Sequence, residues 1–188
     1  MVMEQAKRPV NPLAGPYGHP IHPALVTVPI GAWISSLVFD IGSRMVDYPR
    51  FLAEGSRWLI AIGVIGALAA ALWGLMDLLA VPKGTRVARI ALTHMSINVL
   101  VLVAYVINYF IRGSDPEAPV PVGLMVLSIA SLLVLSFSGY LGGKLAYRYG
   151  VRVADEDAQA DGYLTPPRGM APPGATPQGS VGRRDARP

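Results

Sequence analysis

A neutral imidazole is the commonest metal ligand, and histidine is the side chain whose charge changes nearest to neutral pH. The chain has three. His19 and His22 stand in the stretch GHPIHP, each directly before a proline, and His94 stands early in a long apolar run. Asp77 lies near the end of another apolar run, and Asn98 follows His94 by about one helical turn. His19, His22, Asp77 and His94 together have the donor types to hold a divalent transition metal such as zinc or non-haem iron. His22 and His94 alone could instead clamp a b-type haem from opposite sides. Against haem, only His94 is well inside a helix, and Asp77 beside a haem is awkward unless it orients a histidine. The third possibility is a fastening: His22 caps a helix and Asp77 accepts an imidazole proton. Cysteine is absent, which excludes disulfides, thiolate zinc sites and cysteine-held iron–sulfur clusters. No nucleophile–base pair, P-loop or dinucleotide fingerprint is present, so hydrolase, kinase or dehydrogenase chemistry is not expected.

The elements that must carry these residues are apolar. Hydrophobic residues make up 52% of the 188 and charged residues only 15%, against about 25% charged in a typical soluble domain. Four runs stand out: Ala24 to Ile41, Trp58 to Ala80, Val87 to Ile111 and Val122 to Leu141. Each can supply the roughly 20 apolar residues that cross a bilayer core as a helix. Backbone in lipid must bond to itself, and the runs lack strand alternation, so helices are expected. A soluble bundle would need a polar stripe, which the second run does not have. The expected fold class is all-α: an integral membrane four-helix up-and-down bundle with a disordered C-terminal tail.

Lysine and arginine set the orientation. Lys7, Arg8, Lys83, Arg86, Arg89, Lys144, Arg148 and Arg152 fall on one side. Arg44, Arg50, Arg57 and Arg112 fall on the other, diluted by Asp47, Glu54, Asp115 and Glu117. The richer side is expected to face the cytoplasm, so both termini are inside and the protein is multi-pass in the inner membrane. The N-terminus carries no pattern of a removable leader. Residues 1–18 read as an N-terminal cytoplasmic segment and 19–153 as the transmembrane domain. Residues 154–188, rich in Pro, Gly and charge, read as a disordered tail. The net charge of +4 reflects basic residues flanking apolar runs, so the expected partner is the lipid bilayer, with a membrane protein or a second copy beside it, and no nucleic acid.

Topology then gathers distant residues. The first and third helices begin, and the second ends, on one side, which brings His22, Asp77 and His94 to one depth with His19 at the mouth. A residue before proline is pushed toward extended conformations, so both histidines of GHPIHP should be extended and share an edge. Asp40 should pair with Arg44 one turn on, and Pro29 should kink the first helix. Small residues on the second helix (Gly63, Gly66, Ala70) and the fourth (Ser128, Ser131, Ser138, Gly139, Gly142) read as close-packing faces. Trp33, Trp58 and Trp73 carry no functional signal alone. No convincing internal repeat is visible.

The stretch GHPIHPALVTVPIGAW followed by VFD, then GLMD, a histidine with an asparagine one turn on, and SGYLGGKLAYRYGVRV resembles the domain-of-unknown-function 2231 family of bacterial and archaeal four-helix membrane proteins. The resemblance covers about Gly18 to Val153. It implies an integral membrane protein, and a redox setting because some relatives are joined to a Rieske-type domain, which this chain lacks. The expected function is a structural or accessory subunit of a membrane complex in that redox setting; the alternative is a metal- or b-haem-binding redox protein using His22, His94 and Asp77.

Overall fold

The computed structural model describes residues 2–15, 19–112, 118–161 and 163. A short helix α1 (Val2–Lys7) and a single 3-10 turn (Pro12–Ala14) precede the first span. That span is α2 (His22–Leu25) and α3 (Thr27–Ser43), separated at Val26. Pro29 explains the interruption: it has no N–H for the carbonyl of Leu25, and its ring crowds the preceding turn. The second span is α4 (Arg50–Ala80), the third α5 (Arg86–Ile111), and the fourth α6 (Val122–Gly143) with a wide π-helical turn over Lys144–Arg148. All four spans are long and apolar enough to cross a membrane.

The second span starts well before its apolar run. Arg50 and Glu54, one turn apart, pair at 3.2 Å, which supports an exposed first turn. With 31 residues the helix is about 46 Å long and overshoots the hydrocarbon core. It stops before Pro82. Gly84, at φ +79, makes the turn that only glycine adopts without strain. Thr85 then caps α5 by accepting the N–H of Ala88 at 3.0 Å.

The second unit, residues 155–188, contributes α7 (Glu156–Asp161). The expected disordered tail, apart from this short helix and its neighbours, lies outside the described residues, as do Gly18, Asp115 and Glu117.

The spans pack as antiparallel neighbours in chain order. The first and third stay apart in backbone, as do the second and fourth, so each pair is diagonal. Large apolar side chains such as Ile34, Leu68, Leu100 and Phe137 point outward, and serines, Asp40 and Asn108 point inward. That inside-out distribution suits lipid as the surrounding solvent. The centre is filled by Trp33, Ile60, Val101 and Tyr105. Trp33 and Tyr105 stack across the diagonal with centroids 4.0 Å apart and planes within 6°. A Cβ on Gly63 would run into the Trp33 indole, so that glycine makes room for the ring.

The expectation of no internal repeat is overturned. Asp40 and Arg112, 72 positions apart, form an ion pair across the diagonal. Trp33 and Tyr105 have the same separation, as do His22 and His94, and each pair meets. The second and fourth spans correspond with an offset one helical turn shorter. Trp33 donates to the Ile60 carbonyl at 3.4 Å, and Tyr105 donates to the Ser128 carbonyl at 3.4 Å. The buried positions Ser56, Ile60, Gly63 and Ala70 correspond to the buried Leu124, Ser128, Ser131 and Ser138. A residue that touches its own equivalent lies on a two-fold axis. The two hairpins are therefore related by an approximate two-fold axis along the bundle. The repeat is hidden because equivalent positions share burial but few residue types.

Candidate functional site

At one end of the axis are the two histidines. His22 lies in the first turn of α2, where the chain continues as helix: the Val26 N–H reaches the His22 carbonyl at 3.1 Å. The expected extended conformation before Pro23 is therefore corrected. Ile21 is the cap, at φ −80 and ψ −36, and Pro23 sits in the first turn, where no N–H is missed. The shared edge expected of His19 and His22 does not form. His19 is exposed, whereas His22 turns into the bundle.

The His22 Nδ1 lies 2.8 Å from the Ala70 carbonyl oxygen, and the His94 Nδ1 lies 2.8 Å from the Ser138 carbonyl oxygen. A carbonyl can only accept, so Nδ1 carries the proton in both rings, and the neutral form of each ring keeps its lone pair at Nε2. Both carbonyls belong to helices, and each is approached beside a glycine one turn on. A Cβ on Gly74 would stand 2.9 Å from His22 Cε1, and one on Gly142 would stand 3.1 Å from His94 Cε1. The two glycines form a cradle that any larger residue would fill. The ring centroids are 6.5 Å apart and the planes are nearly perpendicular, at 88°.

Asn98 braces the second ring. Its Nδ2 is 2.8 Å from the His94 carbonyl, 2.8 Å from Ser138 Oγ and 3.2 Å from His94 Nε2. An amide nitrogen has only two N–H groups. The two shorter contacts use them, so the His94 lone pair is the weakest of the three claims.

Asp77 does not accept an imidazole proton, contrary to the expected fastening; the protons go to backbone carbonyls. Its partner is Arg152, with Nε 2.9 Å from Asp77 Oδ1. The N–H is not aimed at the oxygen, so the attraction is Coulombic rather than a directed hydrogen bond. Arg152 also holds the N-terminal segment: its N–H donates to the Ala6 carbonyl and its Nη2 to the Ala14 carbonyl. Nearby, the Trp73 indole donates to the Leu13 carbonyl at 3.0 Å. Among the described residues, no three His, Asp or Glu side chains gather as a ligand set.

The opposite end is a different construction. Asp40 pairs with Arg112, not with Arg44 as the local spacing suggested. Arg112 Nη1 and Nη2 each reach a separate Asp40 oxygen at 2.6 Å. Ser56 donates to the same carboxylate, and Arg112 Nε donates to Asn108 Oδ1 at 2.8 Å. Arg44 serves the Val120 carbonyl at 3.0 Å. Arg112 and Arg152 are the two side chains that reading from spacing missed, because both partners are far away along the chain.

Four long helices with apolar outer faces and an inward polar axis define a multi-pass integral membrane protein. Residues 18–155 match the family described as Predicted membrane protein (DUF2231), and the chain belongs to that family. No curated protein and no solved structure matches it.

Proposed function

We propose that the protein is an accessory subunit of a membrane redox complex, and that His22 and His94 ligate one metal-centred group, a b-type haem. The observation that carries this reading is the pair of Nδ1–H bonds to helix carbonyls. A ligating histidine ordinarily donates its other N–H in this way, which fixes the tautomer and makes Nε2 more basic. The separation agrees. Two imidazoles bound through Nε2 to one ion at about 2.0 Å have centroids roughly 6.3 Å apart if in line. The donor count favours haem, which brings four nitrogens and needs two axial ligands. A bare divalent ion needs further ligands. His19 would have to fold inward and Asp77 would have to leave Arg152 to supply them. Bis-imidazole ligation leaves no open position, so such a centre carries electrons rather than binding substrate. The redox setting implied by the family resemblance and the position near a helix end both suit that role. The lysine and arginine bias supports a cytoplasmic placement of this end, with both termini, at the inner membrane.

Protein made with ample haem and purified in mild detergent should show a Soret band that sharpens on reduction, with one iron per chain. His22→Ala and His94→Ala should each lose it. A folded protein with neither haem nor stoichiometric metal, and no Soret shift on adding haemin, would reduce the two histidines to helix fasteners.

A further inference from the structure

The two halves differ in how the chain enters them at the histidine end. In the second half α5 begins at Arg86, about two turns before His94. In the first half the span begins at His22 itself. The chain before it lies across the second span instead: α1 and the turn Pro12–Ala14 both pack on α4. Trp73 fixes the depth of that contact. Its Nε1 donates to the Leu13 carbonyl at 3.0 Å, and it stands about 10 Å of helix before the end of α4 at Ala80. Lys83, Arg86 and Arg89 follow that end and mark the headgroup level. Leu13 is therefore below the charged residues, at the rim of the hydrocarbon. At the same depth Leu72, Leu75 and Leu79 of α4 point outward.

The backbone of this strap is suited to a place without water. Irregular backbone at membrane depth persists only where its polar groups find partners in the protein. Pro9 and Pro12 carry no N–H. The Ala14 N–H goes to Asn11 Oδ1 at 2.9 Å. The carbonyls of Leu13, Ala14 and Ala6 accept from Trp73 Nε1, Arg152 Nη2 and the Arg152 backbone N–H at 3.0, 3.1 and 3.0 Å. The side chains do the reverse. Ala6 and Ala14 are buried against the bundle, while Leu13 is 75% exposed, Met3 is 69% exposed and Val10 is exposed too. Apolar side chains turned outward over a satisfied backbone suit lipid and not water.

We infer that residues 3–14 are an interfacial lipid anchor. The strap lies in the plane of the bilayer surface at the histidine end, with Leu13, Val10 and Met3 set among acyl chains. Lys7 and Arg8 keep their charges at the phosphate headgroups. The face is covered by the bilayer and not by a second chain, because Leu13 rests on a span whose outer side chains are already in lipid.

The chain has no cysteine, so the test uses single cysteines in the full chain. Leu13→Cys, Val10→Cys and Gln5→Cys are each labelled with bimane and reconstituted in vesicles of phosphatidylcholine and phosphatidylglycerol. Gln5, polar and exposed, is the water-facing reference. Lipids brominated in the acyl chain should quench bimane at Leu13 severalfold more than at Gln5. Iodide on both faces of the vesicle should quench Gln5 severalfold more than Leu13. Iodide quenching at Leu13 equal to that at Gln5, with no response to brominated lipid, would place the strap in water and overturn the inference. Protection of Leu13 from both quenchers would overturn it as well, by showing that protein covers the face. Leu13 and Val10 are exposed, so replacing them spares the bundle contacts, and Val10→Cys gives the same reading should Leu13→Cys prove unstable.

Discussion

The two ends of the bundle axis use similar materials to opposite effect. At one end Asp40 and Arg112 are fully engaged: the guanidinium meets Asp40, Ser56 and Asn108 through all three nitrogens. At the other, Arg152 has an unmet nitrogen among the described residues, and the histidines spend their N–H groups on carbonyls, with Asn98 Nδ2 3.2 Å from the His94 lone pair. A buried network that is fully satisfied rigidifies the fold, whereas unmet donors and free lone pairs mark a place made for something else. The first end closes the diagonal between the first and third spans, and the second leaves chemistry available on it.

The strongest way to break this comparison is at the satisfied end. Asp40→Ala leaves Arg112 buried without its counter-charge and should cost about 3–5 kcal/mol. Detergent-solubilised protein should unfold at a much lower temperature or fail to stay monodisperse. The charge swap Asp40→Arg with Arg112→Asp should recover much of that loss, because the two positions are equivalents across the axis. No recovery would show that Ser56 and Asn108 select the sign at each position.

At the histidine end the stability effect should be smaller and the spectroscopic effect complete. His22→Ala and His94→Ala each remove one interhelical hydrogen bond, worth about 0.6–2 kcal/mol in a membrane. Thermal unfolding of the ligand-free His94→Ala variant should fall slightly further than that of His22→Ala, since Asn98 and Ser138 Oγ also contact the His94 ring. A large difference between them would mean that one ring has a structural duty that the other lacks.

The cradle is subtler. Gly74→Ala would set a methyl 2.9 Å from the His22 ring, and Gly142→Ala would set one 3.1 Å from the His94 ring. Both should displace an imidazole and weaken haem retention, with Gly74→Ala the more damaging. The smallest effect should come from ending the chain after Ala154. The bundle is a compact unit up to that residue, so its unfolding temperature should not move.

The four spans were legible in sequence because run length and composition answer to the thickness of the bilayer, a constraint that acts on each segment separately. The meeting of His22 and His94 at one end was also legible, since it needs only the alternation of direction from span to span. The pairing of charges was not. Arg44 is one turn from Asp40, and Arg112 is 72 positions away, so a local rule chooses the wrong partner. Which charge meets which depends on how each helix is rotated about its own axis, and rotation is decided by packing: Trp33 needs Gly63 beneath it and Tyr105 above it. The proton positions on the two imidazoles likewise follow from carbonyls on neighbouring spans. The two-fold repeat is the extreme case. Chain length and apolarity are properties of a segment, but equivalence across an axis is a property of contacts, and these contacts keep burial rather than residue identity.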